Sequence, residues 1–174
     1  MTNNELANIK ASGRWPVKFS DFYRHYFFAT IPLGCIFVAI TMLYNAFEFH
    51  NNELKMPGTI GLSIFILFFI FVIKRLYQNQ VFEKYQVTDE VLNNLKKVLK
   101  SLHFHNVRYY ERGYFKCTSG VSWFSWGEEI TIIIDDNYLL INSRPNQPIT
   151  LYEDRKNVKS IIKSLQSIHN NANI

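Results

Sequence analysis

Two uncharged apolar runs near the N-terminus constrain this chain more than anything else in it. The first is Tyr26 to Phe47; the second is Pro57 to Ile73, continuing amphipathically to Tyr77. A helix needs about 20 mostly apolar residues to cross the hydrocarbon core of a bilayer, and both runs can do so. Ile64 to Ile73 is apolar on every face, whereas a helix in a soluble core keeps a polar stripe. The first run is long for a cleaved signal, and no small-x-small cleavage site follows it. Leu33-Gly34-Cys35 resembles the end of a lipoprotein signal but falls early within the run, after Pro32. The sequence predicts a two-span membrane hairpin at 26–79, between an N-terminal segment at 1–25 and a polar domain at 80–174.

Charge sets an expected orientation. Lys10, Arg14, Lys18 and Arg24 precede the first run; Lys74, Arg75 and Lys84 follow the second. The intervening loop, Glu48 to Met56, holds two glutamates and one lysine. Positive residues flank the cytoplasmic ends of membrane helices, so both termini are expected in the cytoplasm. Trp15, Phe19, Phe22, Tyr23, Tyr26 and Tyr77 read as an interfacial aromatic belt, with Lys18 to His25 a short helix lying in the interface. The runs contain no Asp, Glu, Lys, Arg or His, which argues against a proton relay or charged pathway through them.

Residues 1–79 carry seven Lys/Arg against four Asp/Glu, and residues 80–174 carry twelve against ten. The polar domain is thus only mildly basic, which argues against binding long nucleic acid. Cys35 and Cys117 fall on opposite sides of the expected membrane boundary, so they do not pair, and a reducing cytosol fits. His103-Phe104-His105 lacks a third ligand, and no metal is expected there.

Within the polar domain, Val81 to Gln86 reads as a connector. Thr88 caps a helix with Asp89 and Glu90 in its first turn. Val91, Leu92, Leu95, Val98, Leu99 and Leu102 then recur at helical spacing. Opposite them, Lys96, Lys97 and Lys100 read as a solvated face. Val107 to Thr118 reads as one strand or a hairpin about Glu111-Arg112-Gly113. Glu129 to Ile134 and Tyr138 to Asn142 read as strands joined by the Asp135-Asp136-Asn137 turn. Asp154 caps a last helix. The expected domain is a small α+β unit: helix, three to four antiparallel strands, helix.

No nucleophile elbow, phosphate loop or zinc-protease motif occurs, so the chain reads as non-enzymatic. Three polar clusters are candidates for a ligand. In the first, Ser122, Trp123, Ser125 and Trp126 interleave hydroxyls, which hold phosphate oxygens, with rings that stack bases. The second is Asn142-Ser143-Arg144, where arginine offers a planar fork for phosphate. The third is Arg155 and Lys156 at a helix start, where free N–H groups attract anions. The competing reading places the tryptophans in the core and the charges on a solvated surface. If the strands pair as expected, Arg144 lies near the start of the preceding strand, and the clusters converge.

In its architecture, an apolar hairpin over Tyr26–Tyr77 followed by an α+β domain, the whole chain resembles small accessory effectors of type III CRISPR systems. These have two N-terminal membrane helices and a cytosolic domain that binds cyclic tetra-adenylate. The resemblance implies an antiviral defence effector in a bacterial plasma membrane. It would be gated by a cyclic oligoadenylate rather than a cofactor, and its partners would be the lipid bilayer and further copies of itself. A fourfold ligand suits a homotetramer, with membrane disruption or depolarisation as the outcome. Two other readings remain open: a membrane-anchored, PH-like interaction module acting as scaffold or immunity protein, and a membrane-tethered enzyme.

Overall fold

The computed structural model describes residues 1–16, 26–120, 127–145 and 156–172. Two long apolar helices follow a short N-terminal helix, α1 (Asn3–Ser12). A 3-10 turn at Phe27–Ala29 leads into α2 (Thr30–Glu48), and α3 runs from Asn52 to Gln78. Both are long and apolar enough to cross a membrane, and only 17% and 11% of their most apolar windows is buried. Three hydroxyls in these helices bond back to their own backbone: Thr41 donates to the Val38 carbonyl, Thr59 to Lys55 and Ser63 to Thr59. None of the three needs an outside partner. Small residues line the seam between the helices. Ala39 and Ala46 are buried, and a Cβ at Gly58 would meet the Leu43 side chain at 2.9 Å, the close approach that small residues permit.

The loop expected over Glu48–Met56 is shorter than that, because α3 starts at Asn52. Asn51 caps it, its side chain accepting from the Glu53 N–H at 3.1 Å. Pro57, where the apolar run begins, does not open the helix. It stands instead one turn in, behind a helix-forming Glu-Leu-Lys-Met segment.

The remaining elements are β1 (Glu83–Gln86), α4 (Asp89–Ser101), β2 (His105–Tyr110), β3 (Tyr114–Thr118), β4 (Glu128–Asp135), β5 (Tyr138–Pro145) and α5 (Lys156–Ala172). The strands form one antiparallel sheet in the order β1-β5-β4-β3-β2. It has five strands rather than three or four. The addition is β1, which the sequence reading left as a connector. It is a four-residue edge strand with two charged residues, the composition by which edges avoid further pairing. Asp154, the expected cap of the last helix, lies outside the described residues.

Helices α4 and α5 cover one face, burying Leu95, Leu99, Ile161 and Leu165 against Ile130, Ile132, Leu139 and Ile141. The other face is covered as well. Ile9 of α1 packs there with Phe82, Tyr114, Ile133 and Leu140. Coverage on both sides explains why β4 reads as a continuous β-branched run, Ile130 to Ile134, rather than an alternating one. A capping box begins α1: the Glu5 N–H donates to the Thr2 hydroxyl at 3.2 Å and the Thr2 N–H to the Glu5 carboxylate at 2.6 Å. Gly13 ends it at φ 66°, a left-handed turn that glycine adopts without strain. From there Gly13–Trp15 pairs with Gln80–Phe82: the Phe82 N–H donates to the Gly13 carbonyl at 2.8 Å and the Trp15 N–H to that of Gln80 at 3.0 Å.

The sheet has two distinct ends. At one, the β1–α4 junction and both β-hairpins meet, since the Val87 N–H donates to the Asn137 carbonyl and the Ile134 N–H to that of Gly113. At the other lie Thr118, Glu128, Pro145 and the start of α5, beside the segment that leaves α3.

Candidate functional site at the α3 end of the sheet

Strand alternation decides what the Asn142-Ser143-Arg144 cluster can do. Neighbours along a strand point to opposite faces, so Asn142 and Arg144 face α1 while Ser143 faces the helical layer. The three residues do not form one site. Ser143 donates to the Glu128 carboxylate at 2.6 Å, and Asn157 of α5 donates to the same oxygen. Glu128 is thereby held as a buried pin between β4, β5 and α5. Lys156 opens α5 on that side, where it lines an open groove of about 280 Å³ with Lys159, Ser160 and Lys163. Arg144 and Lys156 thus belong to opposite layers of the sheet. Ser122, Trp123, Ser125, Trp126 and Arg155 lie outside the described residues.

Arg144 falls where the strand pairing put it, opposite Glu129 near the start of β4. Its guanidinium lies 3.7 Å from the Glu129 carboxylate, which also takes Lys116 at 2.7 Å. Two cations share one carboxylate, leaving the cluster with a net positive charge. The Thr131 hydroxyl is buried between Lys116 and Asn142 in the ladder and has no hydrogen-bond partner among the described residues.

The residue that sequence reasoning missed is Trp15. It was assigned to the interfacial belt, yet its ring sits on the sheet 5.4 Å from that of Phe82. The Arg144 guanidinium lies 3.9 Å from its ring centre, within the range of a cation–π contact. Its indole N–H donates to Asn142 Oδ1 at 2.9 Å. Asn142 in turn donates to the backbone carbonyls of Asn79 at 3.0 Å and Val81 at 2.8 Å. One side-chain amide therefore ties together the segment before α2, the segment after α3 and strand β5. One residue earlier, the Arg14 guanidinium lies 4.3 Å from the Tyr77 ring centre in the last turn of α3. Nothing within Gly13-Arg14-Trp15 signals a partner on β5, which is why local patterning could not find this joint.

The joint sets a guanidinium against an indole ring beside a carboxylate shared by two cations. Burial pushes the Cys117 thiol up to about 12, so it is a core side chain and not a nucleophile. Among the described residues, no three His, Cys, Asp or Glu are grouped to hold a metal ion. Comparisons with protein-family models, with curated proteins and with solved structures give no match.

Proposed function

We propose that this chain is a two-pass membrane effector whose cytosolic domain takes a small anionic ligand at the Arg144 end and transmits the event to the hairpin. The Asn142 joint carries this reading. The chain passages into and out of the hairpin are bonded to one side chain on β5, and Arg144 lies two residues further along. A shift of Arg144 and Trp15 on ligand binding would reach the end of α3 through Asn142, whose amide bonds the Asn79 and Val81 carbonyls, and through Arg14 over the Tyr77 ring. The joint also holds α1 and the sheet on one side of a bilayer, so the two helices cross as a pair. The Lys/Arg residues on the flanks support a cytoplasmic location for that side. Reporter fusions at either terminus are expected to be cytoplasmic; a periplasmic signal after Ile174 would refute the topology.

A cyclic oligoadenylate, cyclic tetra-adenylate foremost, is the ligand class we propose. The surplus positive charge beside a tryptophan suits a phosphate joined to a base, and the overall architecture supports the same class. Calorimetry on the full chain in nanodiscs, with cyclic tri-, tetra- and hexa-adenylate, tests it. Binding of one of them is expected, weakened roughly ten- to a hundredfold by Arg144→Ala, the loss typical of a charged hydrogen bond. Binding of none rejects the ligand. Unchanged affinity in the folded variant moves the site elsewhere.

One observation favours a second reading, a membrane-anchored interaction module. The Arg144 side chain is only 10% exposed and is already engaged by Glu129 and Trp15, as suits a purely structural residue. Dye release from vesicles on adding ligand separates the two: an effector releases dye, whereas an anchored module does not.

A further inference from the structure

The last apolar turns of α3 leave one face uncovered. Ile70, Ile73 and Tyr77 recur there at helical spacing, and all three are exposed. With Phe69, Lys74 and Tyr26, which precedes the 3-10 turn into α2, they line a groove of about 370 Å³. That volume is in the range of small-molecule sites, and the floor is hydrocarbon, two isoleucines and three aromatic rings. Ala29, Val72 and Leu76 are buried behind it, so its walls are packed in place. Unlike the middle of the hairpin, this groove has charge at its mouth. Lys74 is exposed at the first position after the uncharged run. Tyr77, three residues on and therefore on the same face, carries the Arg14 guanidinium 4.3 Å from its ring centre. Neither Lys74 nor Arg14 is ion-paired to Glu83 or to any other carboxylate among the described residues. Of the acids between them in sequence, Glu48 and Glu53 stand at the opposite end of the hairpin; Asp21 lies outside the described residues.

We propose that one anionic phospholipid seats in this groove, an acyl chain along Phe69, Ile70 and Ile73 and its phosphate at Lys74 and Arg14. The inference rests on the hairpin spanning a bilayer. An ammonium one residue beyond an apolar span lies at headgroup depth, where it meets phosphate without leaving water. Tyr26 and Tyr77, on either side of the groove, are of the residue type that sits at this level. Two cations without acids favour a headgroup of net negative charge over a zwitterionic one, whose own ammonium they repel. A seated lipid braces Tyr77 and with it Arg14, the residue before Trp15. The composition of the leaflet is thereby coupled to the joint at Asn142.

The full chain is placed in phosphatidylcholine nanodiscs containing a trace of photoreactive phosphatidylglycerol or photoreactive phosphatidylcholine. Each probe carries its reactive group near the head of one acyl chain, and the labelled residues are mapped by mass spectrometry. The phosphatidylglycerol probe should label Phe69 to Ile73 at least about fivefold more than the phosphatidylcholine probe. Ile31 and Leu33, exposed at the same end of the hairpin but outside the groove, should take both probes equally. Lys74→Gln disturbs no contact within the fold and should at least halve the preference; adding Arg14→Gln should abolish it. Equal labelling by the two probes in the groove, with Ile31 and Leu33 labelled, would overturn the site but leave insertion standing. Failure of both probes to label any part of α2 or α3 would overturn insertion, and the site with it. If Ile73→Cys oxidises to a dimer linked at that position while the groove stays unlabelled, a second copy occupies the groove and the proposal falls.

Discussion

Residues 80–174 expressed alone should fail to give a cooperative melting transition, whereas the same residues preceded by 1–16, with a short Gly-Ser linker replacing 17–79, should melt cooperatively. The two ends to be joined are already close, because the Trp15 N–H bonds to the Gln80 carbonyl. Without α1, the sheet face formed by Phe82, Tyr114, Ile133 and Leu140 is open to water, an apolar patch of the kind that aggregates. The linked form covers that face and keeps the Trp15–Asn142 bond. Within it, Ile9→Asp should act nearly like removal of α1, because a carboxylate cannot be buried there unpaired. A loss of about 4 kcal/mol or more is expected in denaturant unfolding. If 80–174 melts as cooperatively as the linked form, α1 is an ornament rather than a layer of the domain.

Asn142→Ala should have the next largest effect. The substitution removes three hydrogen bonds and leaves the Trp15 indole N–H and two backbone carbonyls without this partner in a largely buried place. Each abandoned group costs about 1–3 kcal/mol, so a total near 3 kcal/mol is expected in the linked form after relaxation. In the full chain, the substitution should also raise amide exchange at Asn79 to Phe82, the link between α3 and β1. Exchange that stays slow there, alongside a stability loss, would show that the hairpin is held to the sheet by other contacts.

The parts of this fold that sequence shows are those governed by neighbours in the chain. The hairpin is legible because its helices lack any polar stripe. The β4–β5 turn is legible because Asp135-Asp136-Asn137 interrupts two β-branched runs and Asp136 adopts φ 48°, which aspartate tolerates better than most residues. Where the outcome depends on distant residues, the pattern is silent. Strand β1 exists because β5 is beside it, and α1 carries few large apolar residues, chiefly Leu6 and Ile9, to announce a buried face. The division of Ser143 from Arg144 is a different matter: alternation along a strand required it, once Tyr138 to Pro145 was recognised as one unbroken strand. Trp15 illustrates the limit, since the partner that explains it lies 127 positions away.

That separation has a consequence for how the protein is made. The first helix leaves the ribosome long before β5, its anchor, has been translated. Until Tyr138 to Pro145 emerge and pair with β4, Ile9 lacks Leu140 and Trp15 lacks both Asn142 and Arg144. The two apolar helices are therefore translated while the polar domain is still open. Closing this loop waits for β5 and bears an ordering cost that grows only slowly with its length. A nascent chain stalled before β5 would carry its hairpin but lack the Trp15–Asn142 bond, visible as protease cleavage near Gly13.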